Sequence, residues 1–209
     1  MQTELISGWY TNIDYETLTP DEIHANGMRF AQLLYNFGWT ENCIAGILGN
    51  VQPESGINPG CIESPKPWTV LPTNQEVLTS SYLRGMGFTQ WTPGRDKIVQ
   101  FAEDNNLIWY KGNVQIKRLK WECDNNYQMG GWQWFIHNEG DPADLAEYFL
   151  RQYERPTPEQ IEQSLAERRR LGTYWYAEIH GKLKSPLQRI MFSQYNRKRK
   201  ELKRRCLKI

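Results

Sequence analysis

Gly49-Asn50-Val51-Gln52-Pro53-Glu54-Ser55-Gly56-Ile57-Asn58-Pro59-Gly60 is the stretch around which the chain is organised. Ahead of Glu54, Ile44, Ile47, Leu48 and Val51 recur at i, i+3, i+4 and i+7, the period of an amphipathic helix. Continuing that period puts Glu54 seven residues after Ile47 and three after Val51, on the apolar side. It also puts the carboxyl in the last turn, where the helix dipole disfavours negative charge. Burial and dipole both favour a protonated carboxyl, the form a general acid needs. Pro53 removes a backbone donor within that turn. Gly56, Pro59 and Gly60 end the helix and open a loop. On spacing alone, a partly exposed structural glutamate is the favoured reading, since most perturbed carboxylates are structural.

The 209 residues suffice for one domain with a full core, or one domain with extensions. Hydrophobic residues make up 39% and charged residues 23%, ordinary for a globular protein. Nine Trp and eleven Tyr form an aromatic excess, suited to a core, to sugar stacking or to partner surfaces. There is no apolar run of about 18 residues, so no membrane span is expected. Met1-Gln-Thr-Glu-Leu-Ile6 lacks a basic start and an apolar block, so no signal peptide is expected. Cys43, Cys61, Cys123 and Cys206 form no C-x-x-C pair, and free thiols are expected. His24, His137 and His180 show no metal spacing, so neither a metal nor a cofactor is expected. The net charge of +1 conceals an asymmetry: residues 197–209 carry eight Lys/Arg against the single Glu201.

Residues 1–19 read as an N-terminal arm that packs on the body through Trp9, Tyr10, Ile13 and Tyr15. Thr19-Pro20-Asp21-Glu22 is a capping box with Pro at the first helical position, and Gly38 ends that helix. Thr40-Glu41-Asn42 starts the helix leading to Glu54. Between Gly60 and Phe88, Pro65, Pro67 and Pro72 break the pattern, and Trp68–Leu71 with Glu76–Thr79 are expected to form short strands. Thr92-Pro93 opens another helix, Asn113 caps a further one, and Trp132–Phe135 belongs to the core. Asp141-Pro142 and Thr157-Pro158-Glu159-Gln160 start two more, the last running through Arg168 and Leu171 to Tyr174-Trp175-Tyr176. The expected class is a mainly helical α+β domain over residues 20–180, with one short irregular β-prone stretch. Residues 181–209 form a basic C-terminal extension. It reads as a solvated tail, a contact for anionic polymer or a contact for a partner subunit.

Gly49–Pro59, Gly87-Phe88-Thr89-Gln90-Trp91-Thr92-Pro93, and Phe149–Pro156 with Arg168–Tyr176 together resemble the phage tail lysozyme family. The resemblance spans about residues 20–177. The Glu54-Ser55 pair and Gly87-x-x-Gln90 are also similar to goose-type lysozymes and soluble lytic transglycosylases. The resemblance implies a lysozyme-like fold, a cleft for the glycan strand of bacterial peptidoglycan, and a site on a virion tail. It implies that Glu54 protonates the glycosidic oxygen, that Ser55 orients that carboxyl, and that Gln90 faces the sugar or the attacking water. Trp91 is an implied substrate contact, and Tyr174, Trp175 and Tyr176 are candidates for the cleft floor or, equally, for core packing. Other tail proteins are implied partners, reached through the basic extension.

A two-carboxylate glycosidase needs a second Asp or Glu across the bond. Glu63, Glu76 and Asp96 are available, and none matches a motif. The Ala-x-Asn-x-Gly motif of the transglycosylases does not occur, which favours hydrolysis over formation of anhydro ends. Two other functional classes fit the sequence. Cys43 near a helix start, paired with His137, would suit a cysteine amidase or endopeptidase. The aromatic residues and basic tail would suit a non-enzymatic wall-binding component.

Overall fold

The structure is a computed structural model, and it describes residues 3–14 and 18–185. Eight α-helices, two π-helical segments and one two-stranded hairpin are formed among the described residues. β1 (Glu4–Ile6) pairs antiparallel with β2 (Trp9–Thr11), with Glu4 opposite Thr11. Ser7 and Gly8 turn the chain at positive φ. The arm joins the core: Trp9 is fully buried and its indole N–H donates to Asn113 Oδ1 at 2.9 Å. The expectation that Asn113 caps a helix therefore fails, and Lys111 stands at that position instead.

α1 (Pro20–Tyr35) starts at the Thr19–Glu22 capping box that its sequence announces. α2 (Glu41–Ser55) is the central element. Every residue from Cys43 to Val51 is buried, because α1, α7 (Pro142–Phe149) and α8 (Pro158–Ile179) surround it. Such close packing requires glycine: a Cβ on Gly49 would lie 2.7 Å from Arg168 O and 2.8 Å from Gly172 N of α8. α2 continues through Pro53 and ends on Gly56 at φ 62°.

The segment after Gly60 departs from expectation. Trp68–Leu71 forms no strand, and Asn74–Leu78 is a short helix, α3. Thr73 accepts from Glu76 N, and the Glu76 carboxylate accepts from Thr73 N, so a capping box overrides the β-prone valine and leucine. What β character exists lies in isolated bridges, Ile62 to Met86 and Met86 to Trp91. These fold 86–91 back on itself and present Gln90 at the turn.

A π-helical segment, Arg95–Val99, leads into α4 (Gln100–Asp104), so Thr92-Pro93 precedes a π turn and not a regular helix. α5 (Gly112–Asp124) and α6 (Trp132–Ile136) follow. Trp132 and Phe135 are core residues as expected, whereas Trp134 is 54% exposed. α7 passes into a second π-helical segment, Leu150–Glu154, which Arg155 ends at φ 53°. Thr157 and Gln160 close the capping box of α8. The mainly helical α+β expectation is met. The basic run at 197–209 lies outside the described residues.

Candidate active site

The end of α2, the 61–65 loop, the 89–92 turn, the second π-helical segment and the first half of α8 enclose an open cleft of about 870 Å³. Glu54 lines it, together with Gln90, Trp91, Tyr153, Glu154 and Arg168. Glu54 does leave the last turn of α2, and its side chain is 26% exposed. It does not end among apolar side chains as its spacing suggests. Its Oε1 accepts a hydrogen bond from Arg168 Nη2 in an ion pair that spans 114 residues of sequence.

Arg168 is aimed by the backbone of α2. Its Nη1 donates to Asn50 O at 2.9 Å and to Asn50 Oδ1 at 3.3 Å. Asn50 is itself fixed, donating through Nδ2 to Gly46 O and Ala146 O, each at 2.9 Å. The close approach at Gly49 thus brings α8 to where one guanidinium reaches the helix end and the catalytic candidate together. Arg168 Nε is buried and has no hydrogen-bond partner.

Glu154 faces the same cleft from the last position of the second π-helical segment. Its Oε1 is also buried without a partner. Burial, then repulsion from the Glu54 carboxylate, hold the Glu154 carboxyl well above the ordinary carboxylate range, against the pull of Arg168. Ionisation of Glu154 is therefore opposed in this cleft.

The opposite wall is built from behind. Glu122 is fully buried and accepts from Trp91 Nε1 at 3.0 Å, Arg118 Nε at 2.9 Å and Tyr153 OH at 2.6 Å. Burial still pushes its carboxyl above the usual range, and it does not line the cleft. These bonds fix the cleft-lining Trp91 and Tyr153. Gln90 sits at φ 47° with its Nε2 donating to Gly87 O at 2.9 Å. Non-glycine residues are held in that region only where the surroundings compel it, and such positions cluster at functional sites.

The other expected contacts lie elsewhere. Ser55 is fully buried; its hydroxyl donates to Phe88 O at 2.8 Å and Val51 O at 3.1 Å, clamping α2 to the loop that carries Gln90. It supports the site without facing the cleft. Tyr174 and Trp175 line a separate, smaller groove with His24 and Gln52, and Trp175 Nε1 donates to Gln52 Oε1 at 2.8 Å. Tyr176 stacks on His180. None of the three forms the cleft floor, because α8 meets the cleft with its first half and these residues belong to its last turns.

Among the second-carboxylate candidates, Glu63 lines the cleft and accepts from Gly85 N at 3.0 Å. Glu76 is spent on the α3 cap, and Asp96 pairs with Arg95. Sequence reading missed Glu154 and the role of Arg168. Glu154 carries one local sign, a carboxylate directly before the Arg155-Pro156 break, as Glu54 precedes Gly56.

Cys43 is fully buried, and its thiol donates to Thr40 O at 3.3 Å. Burial pushes its pKa up to about 12, so it is a thiol and not a nucleophile at neutral pH. His137 is exposed. The cysteine-peptidase reading is thereby set aside. Cys43, Cys61 and Cys123 are free, as expected.

The family model described as phage tail lysozyme matches residues 25–179. The chain is 34% identical over 181 residues to morphogenesis protein 1 of Bacillus phage B103, an alignment covering 84% of this chain and 45% of that protein. The chain therefore spans about half the length of the curated relative it matches. Since the family match extends over most of the chain, the chain belongs to the phage tail lysozyme family.

Proposed function

We propose that this member of the phage tail lysozyme family is a peptidoglycan glycosidase that hydrolyses the glycan strand, with Glu54 as the general acid. The observation that carries the proposal is the meeting of Glu54 with Arg168, Gln90 and Trp91 in one open cleft. Glu54 delivers a proton to the bridging oxygen between two amino sugars, and the leaving sugar departs as an alcohol. The anomeric carbon passes through an oxocarbenium-like state and takes a hydroxyl from water. Gln90, held at the turn opposite α2, offers its amide to the sugar or to that water. Gln128, Gln160, Gln163 and Ser164 line the cleft with neutral donors and acceptors that match sugar hydroxyls and acetamido groups.

The resemblance to a protein named for phage morphogenesis supports a working place on the virion, at the tail, with other tail proteins as partners through residues 181–209. Among the described residues no helix is long and apolar enough to cross a membrane.

The test is Glu54→Gln, applied to purified cell walls as a loss of turbidity. The expected fall in rate is about 10²–10⁴-fold, the usual contribution of a positioned acid. Undiminished clearing by Glu54→Gln would reject the assignment.

A further inference from the structure

Glu154 and Arg168 each place an unpartnered polar atom in the cleft region: the carboxyl Oε1 and the guanidinium Nε. Neither loss is idle. A buried oxygen without a hydrogen bond is costly, and so is a buried guanidinium N–H. The two groups have opposite character, and Arg168 is among the charges that act on Glu154. Yet Arg168 gives its bond to Glu54. Arg168 and Lys97 are cations of the cleft lining, Glu54 and Glu154 are the carboxyls on which Arg168 acts, and the ion pair joins Arg168 to Glu54.

We infer that Glu154 is a positioning residue for Glu54, holding the resting proton of the site and passing it to Glu54 as Arg168 exchanges one carboxylate for the other. The inference rests on the glycosidase reading and deepens it. Glu54 cannot protonate a leaving oxygen while it is the anion in a pair with Arg168. In the exchange, the O–H bond of Glu154 breaks and an O–H bond forms on Glu54, the proton passing through a water of the open cleft because the resting Glu54 bonds Arg168 and Glu154 Oε1 has no partner. No proton is gained or lost overall. The new Glu154 carboxylate draws Arg168 away, and the neutral Glu54 donates to the glycosidic oxygen. The attacking water adds its oxygen to the anomeric carbon and releases one proton, which restores the starting state.

The charges around Glu154 support this order. Glu54 on α2 and Glu122 on α5 oppose its ionisation, whereas Arg168 on α8 and Lys97 in the first π-helical segment favour it. Burial opposes ionisation most, no donor reaches the buried Glu154 Oε1, and Arg168 bonds Glu54 instead, so the neutral form is favoured on Glu154 while Glu54 is paired. Once Glu154 has ionised, Arg168 and Lys97 are the cations that hold it. Rising pH removes the proton from the resting site and ends the exchange.

The 209-residue protein carrying Glu154→Gln or Glu154→Asp tests the inference, with reducing ends from purified peptidoglycan measured across pH and thermal unfolding run alongside. Glu154→Gln cannot hand over a proton, so Glu54 must take one from solvent. At pH 7 its kcat is expected to fall about tenfold or more, with apparent KM within about twofold and the loss recovered near pH 5. Glu154→Asp keeps the parental pH profile. A parental profile for Glu154→Gln overturns the inference, as does an equal loss at every pH, which marks a purely structural role. If Glu54→Gln is inactive and Glu154→Gln is unaffected, only this inference fails. If Glu54→Gln is fully active, the glycosidase reading fails first.

Discussion

Arg168 shows how little of a site can rest on local sequence. The period of α2 marks the place of Glu54, and the family resemblance supplies its role and that of Gln90. Arg168 lies 114 residues from Glu54, and only the packing of α8 on α2 brings them together. The same contact explains why the environment of Glu54 differs from its expected apolar face: a guanidinium from another helix occupies it. The aromatic run Tyr174–Tyr176 misled for the converse reason. Its residue types suit a sugar platform, but its position at the far end of α8 directs Trp175 into the core and leaves Tyr174 by another groove. Cys43 allows a clean check on the rejected chemistry. With its thiol pKa near 12, Cys43→Ser is expected to keep cell-wall clearing within about twofold, a change too small for a lost nucleophile. A loss of several orders of magnitude in the same turbidity assay would restore the peptidase reading.

The helices themselves were legible wherever their ends carry their own chemistry. Thr19–Glu22, Thr40, Asp141 and Thr157–Gln160 are caps by sequence and by structure. α3 is harder to read although Thr73 and Glu76 form the same capping box, because the flanking prolines and β-prone residues mask a helix of only five residues. The π-helical segments have no sequence signature of this kind. At this scale the decisive residue is Gly49, where α2 and α8 touch backbone to backbone. Gly49→Ala puts a methyl group against Arg168 O and Gly172 N and forces the helices apart. A loss of about 1–3 kcal/mol of stability is expected, the usual cost of overpacking, read from chemical denaturation. Because the same contact aims Arg168, the variant should also lose clearing activity more steeply than its stability alone explains. Unchanged stability would show that α2 and α8 have slack that this packing denies.

Across the whole molecule, the arm, the helical body and the cleft form one core, with Trp9 of the hairpin against Phe88 of the loop that carries Gln90. A protein built this way stores an unpaired carboxyl at some expense, and pH reveals it. The folded-state pKa of Glu154 is raised above its unfolded value, so the native state binds the extra proton between the two. Stability therefore falls as pH rises from the ordinary carboxylate range through the folded value of Glu154. Glu154→Gln removes that dependence, and the variant is expected to melt higher than the parent at pH 8 with the difference shrinking towards pH 4. A difference independent of pH, followed by differential scanning fluorimetry, would contradict the buried-proton account.

The glycosidase claim itself is tested most directly by the ends it creates. Purified peptidoglycan digested by the parent protein and by Glu54→Gln, with the soluble fragments resolved by mass spectrometry, reports the bond broken. The account predicts free reducing amino sugars from the parent and none above background from Glu54→Gln at equal thermal stability. Fragments ending in anhydro sugars would contradict hydrolysis, and intact glycan from the parent would contradict the central claim.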